Sequence, residues 1–338
     1  MTQTMNDPTA VQERTELQIR EGNPEEAITT LEFECASIAA EPPSEHKSRL
    51  LQLLGLARRA IGDITRSRDA YETALHAARA CDSKAEEARA LNGLAIASHL
   101  SGDLDEADAQ YSAAAKLAAL TGELRLTGMI EQNRGVIANM VGDLQKARTR
   151  YKVALTAFQM TRDAQGQGWA LTNMGMVNYD LGDPDEAFKA FDNAWIAATE
   201  ANDRSLQASV ITNRARTLIM QGRLDEASAQ LEEAFAIVRS SGYEVLEADA
   251  TRLLATITLQ TGHPRTALGM LDFVLQVARS APDQLLTAEA LRDRAECLKE
   301  LGDTEGAVGS LTESAACFAD LGAKKKEDEV LQRLSELN

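Results

Sequence analysis

Small and bulky apolar residues fall in fixed columns along the chain, and the columns recur every 40 residues. Glycine marks the register at Gly22, Gly62, Gly102, Gly142, Gly182, Gly222, Gly262 and Gly302. Seven positions earlier stands a small residue: Gly55, Ala95, Gly135, Gly175, Ala215, Ala255 or Ala295. Five positions later comes Ala27, Ser67, Ala107, Ala147, Ala187, Ala227, Ala267 or Ala307, and nine later a bulky one, such as Tyr71, Tyr111, Tyr151, Phe191, Leu231 or Leu271. Such in-register columns mark an internal repeat. The glycine suits a left-handed helix end. The residue after it is often Asp (Asp63, Asp103, Asp143, Asp183, Asp303), which caps the next helix. Each unit therefore predicts helix A, a tight turn and helix B, with small columns for close approach and a bulky column to fill the gap.

Helix A is expected at 44–61 and helix B at 64–81 in the second unit, with 40 added for each later one. The B-to-A junction is less regular in sequence. Residues 1–8 are expected to be disordered, 9–322 to form one continuous array of eight units, and 323–338 to form a capping helix. The run Lys324-Lys325-Lys326-Glu327-Asp328-Glu329 reads as that helix's solvated face.

Composition narrows the function. Of 338 residues, 52 are Asp or Glu and 35 are Lys or Arg, a net charge of -17, which argues against phosphate-backbone binding. Aromatics are only 4%, consistent with close-packed, alanine-rich helices. No long apolar run predicts membrane insertion, and the start carries no secretory leader pattern. Cys35, Cys81, Cys297 and Cys317 lie far apart and read as free thiols of a cytoplasmic protein. His46, His76, His99 and His263 occupy unmatched positions, so no metal site is expected. Phosphate-loop, HExxH, GxSxG and EF-hand patterns are missing. Gly166-Gln167-Gly168 reads as a flexible helix start. No enzyme and no cofactor are expected.

The column set resembles the tetratricopeptide repeat, as in Gly135, Gly142, Ala147, Tyr151 and Ala154. The 40-residue unit resembles the longer variants of kinesin light chains, LGN-type adaptors and bacterial regulators. The usual tryptophan column reads Leu51, Leu91, Glu131, Leu171, Ile211, Thr251 and Leu291, and the closing proline is mostly absent. The resemblance implies an all-α, right-handed solenoid with A helices on the concave face.

It also implies that helix-A columns face a groove. One holds Asn133, Asn173 and Asn213; the column before holds Asn92, Gln132, Thr172, Thr212 and Arg252. Stacked amides suit an extended peptide backbone, and they equally suit bonds between neighbouring helices. Met129, Val136, Met140, Trp169, Met176, Tyr179, Ile219 and Met220 are expected around them as anchors, with Trp169 and Tyr179 exposed. Another column runs from basic to acidic, Arg49, Arg89, Met129, Trp169, Ser209, Asp249 and Glu289, while Arg216, Arg252 and Arg292 add positive charge. The expected function is a scaffold or adaptor holding a protein or peptide client. The alternatives are a ligand- or peptide-responsive bacterial regulator acting on a separate effector chain, and a structural subunit of a larger assembly. Oligomeric state stays open.

Overall fold

The computed structural model describes residues 8–20, 22–239 and 242–337. The segment expected to be disordered falls almost wholly outside them. Every described element is an α-helix. In order they are α1 (Pro8–Arg20), α2 (Pro24–Ser37), α3 (Glu45–Ala60), α4 (Ile64–Ala80), α5 (Lys84–Leu100), α6 (Leu104–Thr121), α7 (Leu124–Met140), α8 (Leu144–Met160) and α9 (Ala164–Asp180). Then follow α10 (Pro184–Glu200), α11 (Arg204–Met220), α12 (Leu224–Arg239), α13 (Glu244–Gln260), α14 (Pro264–Ser280), α15 (Gln284–Glu300), α16 (Thr304–Asp320) and α17 (Lys324–Leu337). The fold is an all-α solenoid of helical hairpins. The helices group into two compact units, which meet in sequence inside α7: residues up to Asn133, and Arg134–Asn338.

The two kinds of turn are built alike. Gly62 sits at φ +79, its N–H bonds Arg59 O at 2.9 Å, and Asp63 N–H bonds Arg58 O at 3.0 Å. The B-to-A junction repeats this with Asn202 at φ +51, bonding Thr199 O, while Asp203 N–H bonds Ala198 O at 3.0 Å. Both are helix ends closed by one left-handed residue. Left-handed residues thus recur at Gly62, Asp82, Gly102, Gly122, Gly142, Arg162, Gly182, Asn202, Gly222 and Gly242, one per 20 residues. The apparent irregularity of the second junction was one of residue type and not of backbone. Pro282 interrupts the series, since its ring fixes φ negative. Asp63, Asp143, Asp183 and Asp303 cap B helices as expected, and Asp163, Asp203 and Asp283 cap A helices in the same way. Asp103 begins its helix without a side-chain cap bond.

Between the turns, the small and bulky columns lock. The alanines from Ala27 to Ala307 are fully buried, and so are Tyr111, Phe191 and Leu231 from the bulky column. A Cβ on Gly175 would lie 2.4 Å from the Phe191 ring, and one on Gly135 would lie 2.5 Å from Tyr151. Where the alanine column carries Ser67, its hydroxyl donates to Gly55 O at 2.8 Å. Gly166 and Gly168 are no flexible start. They are buried in the first turns of α9, and the Phe158 ring and Leu206 methyl take the space of their side chains, at 2.4 and 2.5 Å from a Cβ.

Within each unit the A helices touch one another across hairpins: α1 with α3 and α3 with α5, then α9 with α11, α11 with α13 and α13 with α15. Among the described residues the B helices make no contacts of that extent with one another. Closer spacing on the A side makes it the inner, concave wall of each unit.

Candidate functional site

The residues expected in the groove divide between the two units. In the first, Asn92 is buried, with an Oδ1 that finds no partner, so it presents nothing to an inner surface. Gln132 is half-buried with its Oε1 buried and unbonded. Asn133 is half-buried next to the Tyr111 hydroxyl. Met129 is 37% exposed. The inner wall there is instead ionic. Glu86 is fully buried and accepts from Arg49 Nε at 2.7 Å, Arg89 at 2.7 Å and Gln52 Nε2 at 3.1 Å. Arg89 also reaches Glu123 at 2.6 Å.

The second unit holds the rest, and its inner wall has two chemistries. On α9, Trp169, Asn173, Met176 and Tyr179 follow one another at helical spacing along one face. All four are half-buried. Trp169, Met176 and Tyr179 lean on the cluster of Ala187, Phe191 and Leu206, so Trp169 and Tyr179, expected to be exposed in the groove, are half-buried. Among the described residues the Asn173 carboxamide finds no hydrogen-bond partner. Asn213 spends its Nδ2 on Ser209 O of its own helix, at 2.9 Å. At the ends of α9 and α11, Tyr179, Asp180, Gly182, Pro184, Met220 and Gln221 line an open cavity of about 470 Å³. Met220 is 56% exposed, whereas Ile219 is buried and belongs to the core.

From α11 to α17 the wall becomes a buried ion ladder. Arg252 is 2% exposed. Its guanidinium reaches Asp249 at 2.9 Å, Glu289 at 3.0 Å and Asp293 at 2.7 Å. Arg216 holds Asp249 at 3.1 Å, Arg292 holds Asp293 at 2.8 Å, and Lys326 pairs with Glu289. Burial opposes ionisation of Glu289, but Lys326, Arg252, Arg216 and Arg292 outweigh it and hold its carboxyl well below the ordinary value. Arg252 is therefore no free groove cation, because its charge is consumed by neighbouring repeats. Reading the columns together would have shown this. The acids Asp249 and Glu289 stand three residues before Arg252 and Arg292, one turn apart on a helix. Lys326, which completes the ladder, reads from sequence only as part of a solvated face. Met140 packs against the cluster containing Phe318 and Val330.

No group of His, Cys, Asp and Glu among the described residues is arranged to hold a metal ion. None of the described helices is long and apolar enough to cross a membrane.

The sequence profile of the tetratricopeptide repeat matches residues 53–120 and 166–240. Those two stretches are tetratricopeptide repeats. No curated protein matches it in sequence. Its fold is similar to a Rap protein complexed with competence and sporulation factor, at 15% identity and TM-score 0.66, over 98% of this chain and 99% of that one. The apo quorum sensor NprR from B. thuringiensis is similar at 14% identity and TM-score 0.68, over 92% and 87%. The Rap conjugation gene regulator of plasmid pLS20, in complex with the Phr* peptide, is similar at 16% identity and TM-score 0.63, over 83% and 79%.

Proposed function

We propose that the second unit binds an extended protein or peptide segment along the inner face of α9, and that the chain acts as a non-enzymatic adaptor or regulator. The observation that carries this is the unbonded Asn173 carboxamide between half-buried Trp169 and Met176. A half-buried amide with donors and an acceptor free is matched by a peptide backbone. Trp169 to Tyr179 spans ten residues of helix, about 15 Å, or roughly four residues of extended chain. Trp169, Met176 and Tyr179 offer apolar surface, and the cations of the ladder from α11 to α17 are already bonded to its carboxylates. That favours recognition by backbone and apolar side chains over recognition by charge.

A regulator that answers to a peptide and acts on a separate effector is the second reading. The similar folds include proteins solved with competence and sporulation factor and with the Phr* peptide.

A displayed library of short peptides, selected on the wild-type chain and re-tested on Trp169→Ala/Asn173→Ala, separates binding here from binding elsewhere. Selected peptides should lose at least about tenfold in affinity, as expected for an aromatic anchor with its neighbouring amide. Equal binding by a variant that stays helical would overturn the assignment.

A further inference from the structure

The outer side of the second unit carries a feature that segment binding on the inner face does not use. There α14 and α16 flank α15 and leave an open cavity of about 720 Å³. Its floor is apolar, formed by the buried side chains of Leu275 and Leu291. Its walls carry two ion pairs. Arg294 reaches Asp272 at 2.9 Å and donates to Ser310 Oγ at 2.8 Å, and Arg279 meets Glu313 at 2.7 Å. These four charges cancel.

Glycine opens the cavity. Gly309 lines it, and a Cβ built there meets no atom within 4 Å. The same holds for Gly269, at the matching position of the preceding hairpin. Earlier hairpins place Thr29, Asp69, Ala109, Thr149, Lys189 and Ala229 there. Glycine is a poor helix former, and packing within the chain does not call for it at these two sites. Beside the cavity stands a side chain of the opposite kind. Phe273 lies one turn of α14 from Gln276, which lines the cavity, and is 50% exposed. A hole with an apolar floor and an apolar ring thus share one patch.

We propose that this patch pairs two copies of the chain about a two-fold axis, with the Phe273 ring of each copy seated in the other's cavity over Gly309. A two-fold contact needs a surface complementary to itself, and a ring beside a hole meets that need. Charge points to the same occupant. The chain carries a net charge of -17, so two copies repel over much of their surface, and close approach is favoured where charge cancels, as it does at the cavity. The area suits a weak pair. Each of the two helices has 17 residues. Such a helix is about 25 Å long and about 10 Å wide, so two cover roughly 500 Å² per copy. Roughly 1,000 Å² in all is the lower limit of a specific contact, so pairing should fall in the micromolar range.

Sedimentation velocity of the full chain, from about 1 to about 500 µM, tests this. The weight-average mass should climb from one chain toward two. Phe273→Ala removes the ring and Gly309→Leu fills the hole. Each should weaken pairing at least about tenfold, as expected for a central aromatic anchor. Both positions are exposed, and leucine is the better helix former, so helicity by circular dichroism should hold. Mixed together, the two variants should pair with each other more tightly than either pairs with itself, because one ring still meets one open hole.

A chain that stays single up to about 500 µM excludes a second copy as the occupant. A pair that survives both substitutions lies elsewhere on the surface, and a mixture no tighter than either variant alone breaks the ring-in-hole geometry. Each of these results overturns the proposal. Pairing uses the outer side of α14 and α16, and segment binding uses the inner face of α9, so either can fail alone.

Discussion

Replacing Arg252 with Met isolates the worth of the ion ladder. Methionine keeps most of the stem's packing and deletes the guanidinium. Four polar contacts go with it: Nε to Asp249 at 3.2 Å, a second to Asp249 at 2.9 Å, one to Asp293 at 2.7 Å, and one to Glu289 at 3.0 Å. Breaking a buried pair by removing one partner costs about 3–5 kcal/mol. Here each carboxylate keeps one cation: Arg216 for Asp249, Lys326 for Glu289 and Arg292 for Asp293. The loss should therefore sit at the lower end, about 3 kcal/mol. Arg252→Lys, a point charge that cannot bridge three acids, should recover about half of it. The acids also set the pH window. Burial works against the Glu289 and Asp293 charges, but the surrounding cations win and hold both carboxyls low. Their contribution is present above the ordinary carboxyl range near about pH 4 and is lost only as pH falls through the lower folded values. The gap between wild type and variant should thus be full at neutral pH and should close only in stronger acid. Repeat arrays need not unfold in two states, so urea unfolding by circular dichroism should be paired with amide exchange over 244–300. A loss under about 1 kcal/mol, or a gap unchanged down to strong acid, would refute the reasoning.

Two further substitutions test the frame. Gly175→Ala drives a methyl into the Phe191 ring, 2.4 Å away, and should cost about 1–3 kcal/mol in thermal or urea unfolding. Asp203→Ala removes a cap that accepts the Leu206 N–H at 2.9 Å and should cost about 1 kcal/mol, whereas Asp103→Ala, with no cap bond to lose, should cost much less.

Much of the fold was legible because each hairpin solves the same packing problem with the same residue types. Gly175 against Phe191 and Gly135 against Tyr151 are read directly from the columns. The 20-residue rhythm of turns was harder to see, because Asp82, Arg162 and Asn202 hold the left-handed conformation that glycine marks elsewhere. The recurrence of Asp143, Asp163, Asp183 and Asp203 was its available trace. The inner wall was read in part. Periodicity placed Trp169, Asn173, Met176 and Tyr179 on one face of α9. It could not show that Asn92 is buried, since burial there depends on neighbours from other hairpins. Arg252 misled for a related reason: a column lists charges one repeat at a time, and neutralisation happens between repeats.

The uniform turns also make the hairpins splice-compatible. Removing 183–222 would join Gly182 to Arg223, a junction with the same left-handed helix end on both sides. The outer layer would tolerate the excision, with Leu231 standing where Phe191 had been. The inner layer would not, because Asn213 and Arg216 would vanish and Asp249 would lose its second cation. Interchangeable backbone thus coexists with an irreplaceable lining, and the number of hairpins is set by the lining.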